Sequence, residues 1–328
     1  MPPFHPMDEH VLVTGGAGFI GSHVVDVLLA GGARVTVLDK LTYAGSLANV
    51  AEHEADQSFR FVRGDVVDPA AVEPLVAGVD RVLHAAAETH VDRSIAGPAE
   101  FVLTNLVGTQ VVLEACREHG RPLLVVSTDE VYGQNDPDGL FDEEAPMRPR
   151  SPYAASKAGA ELLARAYGIT YGMPVWIVRG TNAFGPRQNP EKAIPVFTTA
   201  ALEGRPVPVY ADGRQSREWL FATDWAAACV TALRHGEPGD VFNIGDGHEL
   251  TNLELARRIC QLVGADESLI SFVEDRPGHD LRYGLTSDRL HELGWASEVP
   301  FEEGLERTVA WYRDHPDWLE AMRAGAPR

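Results

Sequence analysis

With 328 residues, 45% of them apolar, the chain is long enough for one large domain or two unequal ones built around a real core. A formal net charge of −20 and the lack of any basic run exclude a nucleic-acid-binding face, and no apolar stretch approaches the ~18 uncharged residues that a membrane span needs. An acidic surface also repels a phosphorylated ligand at long range, so such a ligand has to be held by a few cations inside a cleft.

Residues 1–10 contain no basic start followed by an apolar run, which gives the expectation of a cytoplasmic protein. From 11 to 178 the pattern is strand, turn, helix, repeated. Apolar runs of strand length stand at 11–14, 35–38, 59–62, 82–83, 123–126 and 175–178, with helix-period segments such as 99–118 and 152–171 between several of them. Such alternation predicts a doubly wound parallel sheet with helices on both faces, and runs this poor in polar residues suit strands buried on both sides. After Arg179 prolines become frequent (186, 190, 195, 206, 208) and the strands shorten, though helical patterns return near 224–234 and 252–263. Two α/β regions are expected: a sheet domain over 1–180 that also carries the catalytic groups, and a smaller mixed region over 181–328, with some exchange of chain. No linker divides them, so they should pack as one unit with a cleft between. Cys116, Cys229 and Cys260 lie far apart, with neither metal-ligand spacing nor an even count. They read as small core residues, and no metal site is expected.

The first strand runs through Thr14-Gly-Gly-Ala-Gly-Phe-Ile-Gly21 into an apolar helix. Glycines at 15, 18 and 21 supply a tight turn, close approach of a pyrophosphate to the backbone, and close packing of helix on strand, while the helix N-terminus offers free N–H groups to the phosphates. This is a Rossmann-type dinucleotide site. Asp39 ends the second strand, where an acid bonds the adenine ribose hydroxyls and disfavours a 2′-phosphate, so NAD is expected over NADP. Asp65 and Val66 end the third strand beside the adenine, and the small residues Ala85, Ala86 and Ala87 let the cofactor cross the sheet edge. Phe19, Ile20, Lys40 and Thr42 complete the expected cofactor contacts.

The fifth strand ends in Ser127-Thr128-Asp129-Glu130. Two adjacent acids at the catalytic edge of a sheet are costly unless used, and they read as an acid/base pair, one protonated and one ionised. Tyr153-Ala-Ala-Ser-Lys157 opens the following helix, and the i, i+4 spacing sets both side chains on one face. An ammonium beside the phenol is expected to lower its pKa and make it a base at neutral pH.

On these motifs the chain resembles the extended short-chain dehydrogenase/reductase family over nearly its whole length. The Thr128-Asp129-Glu130 triplet resembles the nucleotide-sugar 4,6-dehydratases within it. So do Leu41-Thr-Tyr-Ala-Gly45, Ala87-Glu-Thr-His-Val-Asp-Arg-Ser94, Asn189-Pro-Glu-Lys-Ala-Ile-Pro195 and Asp275-Arg-Pro-Gly-His-Asp280. The resemblance implies a lyase that dehydrates a nucleoside-diphosphate hexose, dTDP-glucose foremost, to a 4-keto-6-deoxy sugar. Tyr153, assisted by Lys157, takes the 4-hydroxyl proton while hydride leaves carbon 4 for NAD; Thr128 bonds the 4-oxygen. Glu130 removes the hydrogen of carbon 5, Asp129 protonates the leaving 6-hydroxyl, and the hydride returns to carbon 6. NAD is regenerated each turnover and is expected to stay bound.

The same resemblance implies a substrate set of Thr89, Thr128, Asn182, Lys192, Arg217, Asn252, Arg276 and His279, and a homodimer in which helices 99–118 and 152–171 form a four-helix bundle. Four departures from the family pattern bear on the nucleotide. Asn182-Ala183-Phe184-Gly-Pro-Arg187 replaces Asn-Asn-Tyr-Gly-Pro-Tyr, and Arg187 adds a cation of the kind seen in UDP-sugar epimerases and decarboxylases. Ser46 replaces the usual Asn. Three rival readings remain at this point: a 4-epimerase, which needs no acid pair, a dehydratase acting on a UDP sugar, and a non-catalytic NAD-binding protein, which needs none of the four catalytic groups.

Overall fold

The computed structural model describes residues 9–136, 139–245 and 248–325. The outer ends of the two expected domains, and most of the segment behind the expected localisation, lie outside these residues. In chain order the elements are β1 (His10–Thr14), α1 (Phe19–Ala30), β2 (Arg34–Asp39), β3 (Phe59–Arg63), α2 (Pro69–Ala77), β4 (Arg81–His84), α3 (Val91–Ala96), α4 (Pro98–Phe101), α5 (Gly108–His119), β5 (Leu123–Thr128), α6 (Pro152–Tyr171), β6 (Val175–Gly180), β7 (Asn182–Phe184), α7 (Ala193–Leu202), β8 (Val207–Tyr210), β9 (Ser216–Phe221), α8 (Ala222–His235), β10 (Val241–Ile244), β11 (Glu249–Thr251), α9 (Asn252–Val263), β12 (Ile270–Val273), α10 (Asp288–Glu292), α11 (Phe301–Asp314) and α12 (Pro316–Gly325). None of these helices is long and apolar enough to cross a membrane.

Seven strands form one parallel sheet in the order β10-β6-β5-β4-β1-β2-β3. Valine and leucine fill its centre with no exposure at Val11, Leu12, Val13, Val35, Val37, Leu123 and Leu124, as expected of strands covered on both faces. One face packs on α1 and α8, the other on α2, α5 and α6. The strand order reverses between β1 and β4, so a crevice opens there at the carboxyl ends of the strands.

The six strands read from the sequence stand where expected, with one to two residues added at their ends. The seventh, β10, comes from the carboxyl-terminal half and pairs with β6 in the register Val241↔Ile177. The remaining strands make a three-stranded sheet (β11-β9-β7) and a two-stranded one (β12-β8), which share a third core with α7, α9 and α11.

Local sequence explains the catalytic helix. Ser151 caps α6 by accepting from Ala154 N at 3.0 Å, Pro152 occupies the first turn, and Gly172 ends it in the left-handed conformation. The expected helix over 99–118 is different in kind: α4 and α5 are joined by a π-helical segment, Val102–Val107. There Asn105 turns inward, its Oδ1 accepting from Glu88 N at 2.8 Å and its Nδ2 donating to Glu88 O and to Ser156 Oγ. The extra backbone residue of a π bulge is what aims a side chain out of the ordinary helical register, and here it ties α6 to the loop after β4.

Candidate active site

The glycine turn is built for close approach. Gly15 has φ +71°, and a Cβ there would lie 2.7 Å from the Ala86 backbone; a Cβ on Gly21 would lie 2.1 Å from Gly15 O. The α1 N-terminus at Gly18 has no side-chain cap, so its N–H groups face the crevice. Asp39 is anchored by accepting from Ala17 N (3.1 Å) and Leu41 N (2.8 Å), and Lys40 pairs with Asp65 at 3.3 Å. Each Asp39 oxygen keeps a lone pair for a ribose hydroxyl.

One continuous cleft is lined by Gly15, Gly18, Phe19, Ile20, Gly21, Asp39, Lys40, Thr42, Asp65, Val66, Ala85, Ala86 and Ala87, then by Thr89, Thr128, Asp129, Glu130, Tyr153, Lys157, Asn182 and Lys192. Every expected cofactor residue and all five expected catalytic residues therefore share it. Buried Ser127 Oγ, Asp129 Oδ2 and Gln188 Oε1 face no hydrogen-bond partner among the described residues. A backbone cradle with no room for Cβ atoms, followed by unpaired polar atoms, fits a dinucleotide and a polar substrate end to end.

Four of the expected substrate residues lie elsewhere in relation to this cleft. Arg217, on β9, is buried, donates to Ser216 O and Asp280 O, and stacks over the Tyr283 ring at 4.4 Å. Arg276 reaches Asp92 at 3.5 Å and His279 bonds Asp275 at 2.6 Å. Arg217 and Arg276 still act on the site, because with Lys192 they are the cations that favour ionised Glu130. Asn252 begins α9, its backbone N bonded to Gln215 O at 2.9 Å, and it does not line the cleft.

Arg187 is a correction. Its guanidinium donates to Asn49 O and His23 Nδ1, both at 2.7 Å, and is ion-paired with Asp26. It straps residues 182–188 to α1 and is not a free cation for a diphosphate. Phe184 is likewise a core ring, packed on Trp219, Phe221 and Phe301. The sequence reading missed Glu88, Gln188 and Asn189 in the cleft lining. All three lie in or beside motifs already singled out, and Glu88 announced itself only as an unexplained acid after Ala87.

Burial dominates the electrostatics. It pushes Asp129 up to about 8, with Glu130 adding to the shift and Arg217 opposing it. Glu130 is also raised by burial, but Arg276, Arg217 and Lys192 together draw it back. Both carboxyls are raised; Asp129 keeps its proton at neutral pH, while at Glu130 three cations oppose the rise and support its charged form. Burial lowers Lys157 to about 8, while its Nζ donates to Val126 O at 2.6 Å. Tyr153 is the second correction. The expectation was a phenol lowered by Lys157, but burial, followed by Glu130, raises it well above the ordinary phenol range, with a Thr128 hydrogen bond opposing.

These shifts give a pH prediction. Asp129 holds its proton below about 8 and loses it above. Lys157 loses its charge over the same interval. The elimination step should therefore fall as pH rises through about 8, with an acid-side plateau near neutrality. Stopped-flow decay of the reduced-cofactor signal across pH 6–10 measures this; a step rate that climbs through ~8 would contradict the assignment of Asp129 as the acid.

Residues 12–308 match the family model described as GDP-mannose 4,6 dehydratase. A dTDP-glucose 4,6-dehydratase of Actinoplanes sp. is 52% identical over 317 residues, covering 94% of this chain and 99% of that protein. The crystal structure of DesIV, a dTDP-glucose 4,6-dehydratase from Streptomyces venezuelae solved with NAD bound, superposes with a TM-score of 0.93 at 48% identity, over 95% of this chain and 99% of that one. A UDP-glucose 4-epimerase from Thermus thermophilus, also with NAD, superposes with a TM-score of 0.86 at 35% identity, over 93% and 99%.

Proposed function

From the premise that the chain belongs to the GDP-mannose 4,6 dehydratase family, we propose that it is an NAD-dependent hydro-lyase that converts dTDP-glucose to the 4-keto-6-deoxy nucleotide sugar. The observation that carries this over the epimerase reading is the acid pair. Asp129 and Glu130 sit in the same cleft as Tyr153 and Lys157, with Asp129 only 4% exposed. An epimerase has no use for them, and placing a second carboxylate, half-buried Glu130, against buried Asp129 for nothing is unfavourable.

NAD would be held by the glycine cradle, Asp39 and the small residues Ala85, Ala86 and Ala87, and would supply a hydride acceptor and a positive charge to the cleft. The chain's own groups do the rest. Lys157, pinned by Val126 O, supports ionisation of Tyr153, which removes the 4-hydroxyl proton. The ketone so formed acidifies carbon 5, and Glu130 takes its proton. Asp129 gives its proton to the 6-oxygen and water leaves. The stored hydride returns to carbon 6 as Glu130 returns its proton to carbon 5. NAD ends each cycle oxidised, which suits a cofactor that stays bound.

Thr89, Asn182 and Lys192, which line the cleft, would meet the sugar, and Arg217 and Arg276 beside it would supply charge for the diphosphate, where a planar guanidinium matches two phosphate oxygens. The engagement of Arg187 with Asp26 removes the one feature that favoured a UDP sugar. Incubation with dTDP-glucose and UDP-glucose in parallel tests the base: faster formation of the 4-keto product from dTDP-glucose is expected, and faster turnover of UDP-glucose would reverse the preference.

The same reading includes an NAD-binding domain over 1–180 that borrows α8 and β10 from a substrate domain over 181–328, and a cytoplasmic location with the cofactor and nucleotide sugars. It includes a homodimer as well. Val102, Leu103 and Val107 beside α5, and Leu162 and Ile169 on α6, are exposed apolar residues on the two helices the bundle would use. Light scattering should give twice the 35.6 kDa chain mass; a monomer at all concentrations would remove the bundle.

A further inference from the structure

At the end of β4, one residue before the cleft lining begins at Ala85, stands a histidine that the mechanism does not use. His84 is 1% exposed, and a leucine would fill the space without bringing polar atoms into the core. Both ring nitrogens are engaged: Nδ1 lies 2.7 Å from Thr14 Oγ1, and Nε2 lies 3.0 Å from Thr109 Oγ1. The neighbours decide which nitrogen carries the proton. Thr109 donates its one hydrogen to Asn105 O at 2.6 Å, so it accepts from the ring, and the ring proton is on Nε2. Nδ1 is then bare and accepts from Thr14, whose oxygen in turn accepts from Ala86 N at 3.3 Å. Burial, with the charge of Lys157 adding to it, holds His84 down at about 3, so the ring is neutral at neutral pH.

These bonds run head to tail from Ala86 N through Thr14, His84 and Thr109 to Asn105 O, an order in which each bond strengthens the next. The cradle is at one end: Ala86 lies against Gly15, where a Cβ would come within 2.7 Å of it. At the other end is Asn105, the residue turned inward by the π segment. Its Nδ2 donates to Ser156 Oγ at 2.8 Å, and Ser156 Oγ donates to Tyr153 O at 2.7 Å, both on α6. The imidazole is a rigid ring, so it holds its two partners at a fixed separation.

We propose that His84 is a positioning residue that couples the cofactor cradle to the catalytic helix, so that a dinucleotide seated against Gly15 and Ala86 meets Tyr153 in register. The proposal rests on the NAD-dependent dehydratase reading above and adds to it a residue outside the cleft lining. The acceptor at Nδ1 holds the cradle end, and the donor at Nε2 holds the helix end.

The two ends can be cut separately. His84→Asn places an amide oxygen near the Nδ1 position and nothing at Nε2, so it keeps Thr14 and releases Thr109. His84→Gln places an amide N–H near the Nε2 position, so it keeps Thr109 and releases Thr14. Two quantities are measured for each: the affinity of the stripped protein for NAD by calorimetry, and the rate of cofactor reduction when the NAD-saturated enzyme meets dTDP-glucose. His84→Asn should bind NAD like the unmodified enzyme but reduce it ~10–10²-fold more slowly, the scale of a misplaced reacting group. His84→Gln should bind NAD ~10-fold more weakly, the scale of one lost hydrogen bond, and at saturating NAD should reduce it faster than His84→Asn does. Thr109→Val and Thr14→Val cut the same two bonds from outside the ring and should reproduce the two patterns even if a His84 variant does not fold. Thr109→Ser and Thr14→Ser should restore the unmodified behaviour. A role in packing alone predicts that the variants lose affinity and reduction rate together, in step with their melting temperatures; that result, or no change in either quantity, would overturn the proposal. Failure of the unmodified enzyme to reduce its NAD with dTDP-glucose would instead sink the dehydratase reading, and the coupling with it.

Discussion

Glu130→Gln is expected to stop the reaction half-way. Glutamine has the shape of glutamate but cannot accept a proton from carbon 5, and a positioned general base is worth ~10²–10⁴-fold in rate. Tyr153, Lys157 and the glycine cradle are untouched, so the first oxidation should proceed. Mixing enzyme with dTDP-glucose should raise the reduced-cofactor absorbance to about one equivalent per site and hold it there, with product formation down ~10³-fold. The change should not unfold the chain, because it removes a carboxylate that burial already disfavours. Product formation at an undiminished rate would mean that another group is the base.

The second large effect should come earlier in the cycle. Tyr153→Phe keeps the ring that packs edge-on against Phe101, with centroids 6.4 Å apart, and removes only the hydroxyl. Without it nothing removes the 4-hydroxyl proton as hydride departs. Turnover should fall by ~10²–10⁴-fold, equivalent to ~3–5 kcal/mol of barrier, and reduced cofactor should not appear at all. The contrast between the variants is the informative part: one accumulates the reduced cofactor and the other never forms it. Full reduction of the cofactor by Tyr153→Phe would remove Tyr153 from its role.

The elevated phenol of Tyr153 sharpens what this role requires. In the chain alone the nearby acids and the dry surroundings favour the neutral phenol, and Lys157 is itself pulled down by burial to about 8. Ionisation of Tyr153 therefore depends on positive charge arriving in the cleft. A bound cofactor's positive ring would supply that charge, which would couple the base to cofactor binding.

Much of the dinucleotide half was legible in the sequence because its signals are local. The glycines at 15, 18 and 21 announce backbone contacts that no other residue permits, and Ser151-Pro152 and Gly172 mark the ends of α6 by capping chemistry. In α9 a Thr251–Glu254 capping box marks the start in the same way. What was not legible depends on tertiary partners. Strand β10 has four residues, one of them Asn243, whose Oδ1 accepts from Tyr132 and whose Nδ2 donates to Phe141 O; nothing local shows that it completes a sheet begun 230 residues earlier. The π segment follows from the need to aim Asn105 at Glu88, a contact across 17 residues.

The site shows the same division. Thr128, Asp129, Glu130, Tyr153 and Lys157 stood out from motif and spacing, and the cleft brings them together. Arg187 was misread because an arginine after Gly-Pro looks the same in sequence whether it meets a phosphate or Asp26. The direction of the Tyr153 shift was misread because spacing gives proximity to Lys157 but not the burial that outweighs it.

The central claim is that the hydride removed from carbon 4 returns to carbon 6 of the same molecule. Incubation with dTDP-glucose carrying deuterium at carbon 4, followed by mass and NMR analysis of the product, tests it directly. The expected product is a 4-keto-6-deoxy sugar with deuterium in its methyl group, with no net reduction of NAD. Deuterium retained at carbon 4 of an epimerised sugar, or reduced cofactor formed in step with product, would contradict it.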